Sequence, residues 1–388
     1  MTRILLITRN LPPLVGGMER LNWHMADELA KLAEVRIVGP AGSAALAPKH
    51  VQVLEVPLKP LIRYLVCARQ LARHTTKSWR PEVVIAGSGL TAPLARSAAL
   101  RCNAHTVVYV HGLDVAAKNA VYRSLWLPAI RHMQRVIANS HATADSCRII
   151  GVSPERIGIV HPGVTLPDPK INPQRAHDFR LRHALGDKPV LLSVGRLTDR
   201  KGLREFVAHC LPRIVARAPE TILLIVGDSP KHALHAKAQT RESIIAAAAA
   251  VGVAGNIRFL GVITDYDELG VIYGAADVHV FPVRKIGGDP EGFGMVAVEA
   301  AAHGLPTVAF ATGGVVDAVA DGTSGRLVAS SDYVTFSEAV LQMLDKRAEL
   351  RSSCLTFAQG FAWPLFGRRL AAQLPGVTLT SGAKDHTA

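Results

Sequence analysis

The chain of 388 residues is 49% hydrophobic and 19% charged, which excludes a disordered polymer and supplies apolar material for two or three cores at ~150 residues per domain. Aromatics contribute only 5%, so the cores are expected to be built from Ala, Val, Leu and Ile, which suits α/β layers better than a Tyr- and Trp-rich β-sandwich. Net charge is +13 and uneven: residues 1–168 hold 20 Lys and Arg against 10 Asp and Glu, and the remainder 24 against 21, so the basic N-terminal half calls for an anionic partner, whether nucleic acid, an acidic membrane surface or an anionic substrate.

The first apolar run ends at Asn10, Pro12 and Pro13. It is too short for a signal-peptide core or a membrane span, and no later stretch reaches ~18 apolar residues without a charge. A soluble chain kept in the cytoplasm is expected. Five scattered cysteines without a C-x-x-C suggest neither a disulfide framework nor a zinc site.

Short β-branched runs then alternate with helical spacing such as Leu21, Met25, Leu29 and Leu32. Strands are predicted at Ile4–Thr8, Val35–Val38, Val51–Val56, Val83–Ala86, Thr106–Val110, Val136–Ala138 and Ile157–Val160. Their continuous apolar character predicts a parallel sheet covered on both faces. Three prolines between Leu166 and Pro173 then predict an extended linker. The alternation restarts at Val190–Val194, Ile222–Val226, Ile257–Phe259, Val278–Phe281, Thr307–Phe310 and Arg326–Val328. Two doubly wound α/β domains are expected, 1–168 and 169–355, with a C-terminal helix over 356–375 and a polar tail from 376 to 388 frayed.

Three loops could carry chemistry. Gly16-Gly17 lies between the first strand and the first helix, where free amides attract anions; it reads equally as a tight turn. Gly195-Arg196 through Lys201-Gly202 follows the strand Val190–Val194. A glycine, several cations and a helix start form a cradle for a diphosphate, with Arg196 as a fork and Lys201 as a point charge; a solvated basic turn is the alternative, and the loop is not a Walker A motif. Glu291 and Glu299 flank the turn Gly292-Phe293-Gly294-Met295. Two acceptor-only carboxylates suit two sets of sugar hydroxyls; a helix cap and a surface helix would be the plain reading.

Together these motifs resemble the retaining GT-B glycosyltransferases of family 4. Ala138-Asn139-Ser140, Pro162-Gly163-Val164, Gly261, Ala276-Asp277-Val278, Gly304-Leu305-Pro306-Thr307 and Gly313-Gly314 also match, so the resemblance covers residues 3 to 365. It implies two Rossmann-like domains facing across a cleft, acceptor on the first and nucleotide sugar on the second, with the C-terminal helix crossing back to the first domain. It implies that Gly16 and Gly17 meet the donor phosphate, that Gly195, Arg196 and Lys201 serve the diphosphate leaving group, and that Glu291 holds the donor sugar with the amides around Phe293 and Gly294. Gly292, Met295 and Val296 belong to that same donor-binding turn. Glu299 would bind ribose, the backbone near Val262 would edge the base, and His111 would sit near the donor sugar. No cofactor is implied beyond the nucleotide sugar as co-substrate. Metal is not expected to be required, since Asp265-Tyr266-Asp267 reads as a helix start.

Thr165, Val283 and Asp317 depart from the family pattern. The loop Val283–Pro290, with Arg284 and Gly287-Gly288-Asp289, resembles the GDP-mannose-dependent mannosyltransferases that act on lipid acceptors. The stretch from Lys59 to Arg80 has six cations and no acid, interleaved with Leu61, Ile62, Leu65, Val66 and Leu71, with Tyr64 and Trp79 nearby. A second basic cluster spans Arg123 to Arg135. Both suit an anionic membrane surface, peripheral on the inner face, or a solvated helix packed on the sheet. Nucleic acid is disfavoured by the lack of a binding motif and the sparse aromatics. The activity expected is transfer of a hexosyl group from a nucleotide-diphosphate sugar to a glycan or lipid-linked acceptor in envelope assembly. A nucleotide-sugar epimerase of the same fold and a non-catalytic sugar-nucleotide binder are the alternatives. A dinucleotide oxidoreductase is not supported, since no G-x-G-x-x-G follows a strand.

Overall fold

A computed structural model describes residues 1–167, 172–229 and 238–378. The chain divides into two units, one of Met1–Gly163 with the stretch from Trp363, the other of Val164–Ala362.

The first unit holds β1 (Arg3–Ile7), β2 (Glu34–Pro40), β3 (Gln52–Val56), β4 (Val83–Ala86), β5 (His105–Val110), β6 (Arg135–Ala138) and β7 (Ile157–Ile159). The second holds β8 (Val190–Val194), β9 (Ile222–Val226), β10 (Ile257–Gly261), β11 (Val278–Phe281), β12 (Thr307–Phe310) and β13 (Gly325–Val328). Every strand predicted from the apolar runs is present, with ends shifted by a residue or two. Each sheet is parallel, ordered β3-β2-β1-β4-β5-β6-β7 and β10-β9-β8-β11-β12-β13. Central strands such as β4 and β9 are buried along their whole length. That burial is why their sequences lack polar alternation.

In both sheets the chain runs outward from the first strand, then returns to its other side. The loops leaving β1 and β4, and those leaving β8 and β11, therefore diverge and open a crevice at the strands' carboxyl ends, the usual ligand position in such folds.

The division falls at Gly163 and Val164 rather than at 168. The Val164 amide donates to the Phe361 carbonyl at 2.7 Å, which ties it to the second unit. Residues 168–171 of the expected linker lie outside the described residues, as do 379–388 of the expected tail; Asn172 and Pro173, expected in the linker, instead open the helix Asn172–Arg182. The expected helix over 356–375 is two segments. Helix Tyr333–Gln359 buries Phe336, Val340, Cys354 and Ala358 in the second unit. The next helix, Trp363–Ala371, carries Pro364 in its first turn, where the missing amide is harmless. This helix packs in the first unit, where Trp363 stacks on His24 at 3.9 Å between ring centres. Gly367 lies so close to the helix Gly17–Ala30 that a Cβ would come within 2.6 Å of Glu28 Cβ. Arg135, from the second basic cluster, donates to Gln373 at 2.8 Å and so fastens this return segment rather than facing solvent.

Candidate active site

In the second unit, the backbone beyond β8 is held by Gly195, whose amide donates to Val226 O, and by Leu197, whose amide donates to Asp228 O. Thr198 then opens a single 3-10 turn, Asp199–Lys201. Gly202 closes it at φ 68°, where a Cβ would overlap the carbonyl oxygen of Pro282 beyond β11. Only glycine satisfies both conditions, and the turn is thereby pressed against the loop that leads to Glu291.

The turn aims two cations at one carboxylate. Lys201 Nζ donates to Glu291 Oε2 at 2.8 Å, and Arg200 Nε lies 3.4 Å from the same oxygen. Arg200 also donates to Asp289 at 3.0 Å and to the Pro290 carbonyl at 2.9 Å. All three side chains are nearly buried. The Lys201 ammonium also sits 4.6 Å from the Phe281 ring centre, a cation–π distance. Burial opposes ionisation of Glu291, but Lys201, Arg200 and Arg196 outweigh it and take its pKa down to about 2. Burial lowers the Lys201 pKa, with Glu291 opposing the shift. His279 beneath them is taken down to about 3 by burial and by the Lys201 charge. Arg196 itself is exposed, and its charge reaches both members of the pair.

The turn after Glu291 is backed by the late glycine pair. The Gly314 amide donates to Glu291 O at 2.9 Å, and a Cβ on Gly314 would overlap Gly292 O. Gly294, at φ 101°, ends the turn as the cap of helix Met295–Ala302. Met295 and Val296 form its first turn, while Phe293 is buried beneath them. Glu299 is buried one turn further on and accepts from Tyr273 Oη at 3.1 Å. Val262 is exposed just beyond β10. Asp265 caps the helix Tyr266–Ala275, accepting from the amides of Asp267 and Glu268.

In the first unit, Gly16 caps and Gly17 begins the helix Gly17–Ala30 after β1. The flanking acid is hydrogen-bonded locally, with Asn10 Nδ2 donating to Glu19 at 2.7 Å. His111 follows β5 and starts the short helix Gly112–Ala116, its amide donating to Asp114 Oδ2 at 2.9 Å. The imidazole hydrogen-bonds the Gly87 backbone, while buried Nε2 has no hydrogen-bond partner among the described residues. Burial lowers its pKa, only partly offset by Asp114, so the ring is neutral at pH 7. Ser88 Oγ after β4 and Asn139 Oδ1 after β6 are likewise buried without hydrogen-bond partners. Buried polar atoms are normally satisfied; these three, at the ends of the neighbouring strands β4, β5 and β6, have no hydrogen-bond partner among the described residues.

The structure thus brings Lys201 and Glu291 together and places Arg196 at the rim. Gly17 and His111 stand at the corresponding edge of the other unit. Ser88 was not singled out by any motif, while Asn139 and Arg200 stood in quoted motifs without a role of their own. Arg200 differs from Arg196 only through the 3-10 turn, which no spacing rule exposes.

The topology and these sites define the class: two Rossmann-like domains of the GT-B fold. Residues 15–166 match the family model Glycosyltransferase Family 4, and residues 188–346 match Glycosyl transferases group 1. This chain belongs to that glycosyltransferase family. It is 29% identical to a GDP-mannose-dependent α-(1-6)-phosphatidylinositol monomannoside mannosyltransferase of Mycolicibacterium smegmatis, over 96% of this chain and 98% of that one. It is 33% identical to a D-inositol 3-phosphate glycosyltransferase of Catenulispora acidiphila, over 59% of this chain and 53% of that one. Its fold matches a crystal structure of Anabaena HepE in complex with UDP and glucose, with a TM-score of 0.77, 18% identity, and coverage of 96% and 99%.

Proposed function

We propose that this glycosyltransferase moves a hexosyl group from a nucleotide-diphosphate sugar to a glycan or lipid-linked acceptor with retention of anomeric configuration, in envelope polysaccharide or glycolipid assembly. The observation that carries the reading is the nearly buried Lys201–Glu291–Arg200 cluster at the β8/β11 switch point. Bond cleavage leaves negative charge on the diphosphate. Lys201, fixed before the reaction by Glu291, stabilises that charge without reorganising, and Arg196 adds its charge from the rim. Glu291, ionised at any working pH, accepts from sugar hydroxyls. A carboxylate gripped by two cations is a poor nucleophile, which favours attack from the side of the leaving phosphate with that phosphate taking the acceptor's proton. Neutral His111 offers Nε2 to the transferred sugar. The fixed cations supply the countercharge that a metal would, so chelators should leave turnover unchanged. Loss of activity on chelation, restored by manganese, would contradict this.

GDP-mannose is the donor favoured by the loop Val283–Pro290 and by the name of the full-length mycobacterial relative. A thermal-shift panel of UDP-, GDP- and ADP-sugars tests it, because a ligand that binds the folded state raises the melting temperature by mass action. Nucleotide release that depends on an acceptor, an α-linked product and no covalent glycosyl-enzyme by mass spectrometry would support the whole reading. An isomerised donor without acceptor would point to an epimerase, and binding without release to a non-catalytic protein.

No described helix is long and apolar enough to cross a membrane. On helix Leu61–Trp79, Leu61, Leu65 and Leu71 pack on the core, and Tyr64 and Trp79 are buried; Ile62 and Val66 are exposed beside Arg63 and Arg69. Three of the five aliphatic residues thus belong to the core. The exposed two suit peripheral contact with anionic lipid at the cytoplasmic face. Replacing Arg63, Arg69 and Arg73 with Glu should reduce association with anionic vesicles, and unchanged partition would remove this part of the proposal.

A further inference from the structure

The first unit contains a cavity of about 550 Å³ far along the chain from the glycine loop, within the range of ligand pockets. One wall is helix Ala120–Arg131. Arg123, Leu127 and Arg131 stand at i, i+4 and i+8 on its cavity-facing stripe, so two cations bracket an apolar patch over ~12 Å. The facing wall is the end of helix His141–Ile149, with Ser146, Ile149 and Ile150. The third wall is Val115 and Ala116, with Lys118 at the mouth.

The composition of this cavity is two-sided. Val115 and Leu127 are buried in its floor, while Ile149 is 85% exposed at its lip. Lys118, Arg123 and Arg131 have no ion-pair partner among the described residues, and no acidic residue lines the cavity. A solvated helix face has no need of an apolar floor, and an apolar core patch has no need of three free cations. Charge and shape together fit a single amphiphile with an anionic head and an alkyl chain.

The cavity also connects to the site described above. Helix Gly112–Ala116 begins at His111 and ends at the cavity wall. An occupant therefore presses on the far end of the same five-residue helix that positions the imidazole.

We propose that the cavity formed by Val115, Arg123, Leu127, Arg131 and Ile150 binds the anionic lipid portion of the acceptor. Its use as an acceptor site rests on the glycosyltransferase reading; the binding itself does not. The test is calorimetric titration of the full chain with decyl phosphate below its micelle concentration, inorganic phosphate, and octyl glucoside. Decyl phosphate should bind at least tenfold more tightly than either of the others. Combined Lys118→Glu, Arg123→Glu and Arg131→Glu should weaken it at least tenfold. Ser146→Phe, which fills the cavity and keeps every cation, should do the same. The thermal shift with nucleotide sugars, read on the same samples, should be unchanged in both variants and certifies the fold. Equal binding of inorganic and decyl phosphate, or unaltered decyl phosphate binding in either variant, would overturn the proposal. Decyl phosphate binding by a chain that no nucleotide sugar stabilises would instead sink the glycosyltransferase reading and leave a lipid site.

Discussion

The loops that follow β1 and β8 hold the same place in the same strand order, and they carry opposite chemistry. After β1 the chain turns through Gly16-Gly17 with its nearest acid satisfied by Asn10, and the neighbouring strand ends offer neutral atoms on Ser88, His111 and Asn139. After β8 it turns through a basic loop whose Lys201 and Arg200 converge on Glu291. Topology therefore chooses the position of a site, and side chains choose its ligand. A neutral, hydroxyl-seeking edge suits an acceptor, and an ionic, preorganised edge suits a diphosphate.

The sharpest way to break this contrast is to neutralise the ionic edge. Glu291→Gln leaves the nearly buried Lys201 without its carboxylate, while Arg200 keeps Asp289; loss of one member of a buried pair costs about 3–5 kcal/mol in stability. Turnover should fall about a hundredfold or more, as for loss of one preorganised charge in an enclosed site. Adding Lys201→Met should restore much of the stability and none of the turnover. Urea unfolding and nucleotide release check the pair of effects. If both stay at the wild-type level in Glu291→Gln, the cluster is a surface contact and the contrast dissolves.

A milder perturbation moves the turn without touching a charge. A Cβ on Gly314 overlaps Gly292 O, so Gly314→Ala should destabilise by ~1–3 kcal/mol, as overpacking does. It should also raise the KM for donor more than for acceptor. Gly255→Ala, where a Cβ meets nothing within 4 Å, is the control.

The smallest effect separates the edges by pH. Glu291, lowered from 4.5 to about 2, contributes stability that is full above its unfolded value and is lost as pH falls from there toward its folded one. Partly buried His24 in the first unit and buried His279 in the second are both lowered from 6.5 to about 3, chiefly by burial. Each takes up a proton more readily on unfolding, so stability falls as pH drops below 6.5. That upper arm should appear in both units, and His279→Gln should flatten only the second unit's share. The lower arm should shrink in Glu291→Gln, leaving the share of Glu205, which is also lowered. Melting curves over this range, probed separately in each unit, decide it.

The strands were legible because a strand buried on both faces must be apolar throughout, and runs such as Val83–Ala86 and Ile222–Val226 announce this locally. The glycine-rich and basic loops were legible because glycine and cations cluster in sequence there. Other features were not. Tyr64 and Trp79 lie within the basic amphipathic stretch, yet both are buried, since which side of a helix meets the sheet depends on where the sheet is. Arg135 belongs by sequence to a cationic surface cluster and is instead tied to Gln373 across the chain. Gly313-Gly314 was visible as a motif, but not as the backing of the Glu291 turn.

The order of apolar runs, turns and charges by itself determined two parallel sheets, their strands and the loops from which the site is drawn, because each of these is a short-range pattern of burial and backbone freedom. Only the tertiary structure decided that Arg200 and Lys201 share one carboxylate, that His111 keeps Nε2 unsatisfied, that the chain changes units at Val164 and Trp363, and that Arg123 and Arg131 frame an apolar cavity. These depend on distances between residues far apart in the chain, and electrostatic and packing energies are set by those distances rather than by sequence spacing.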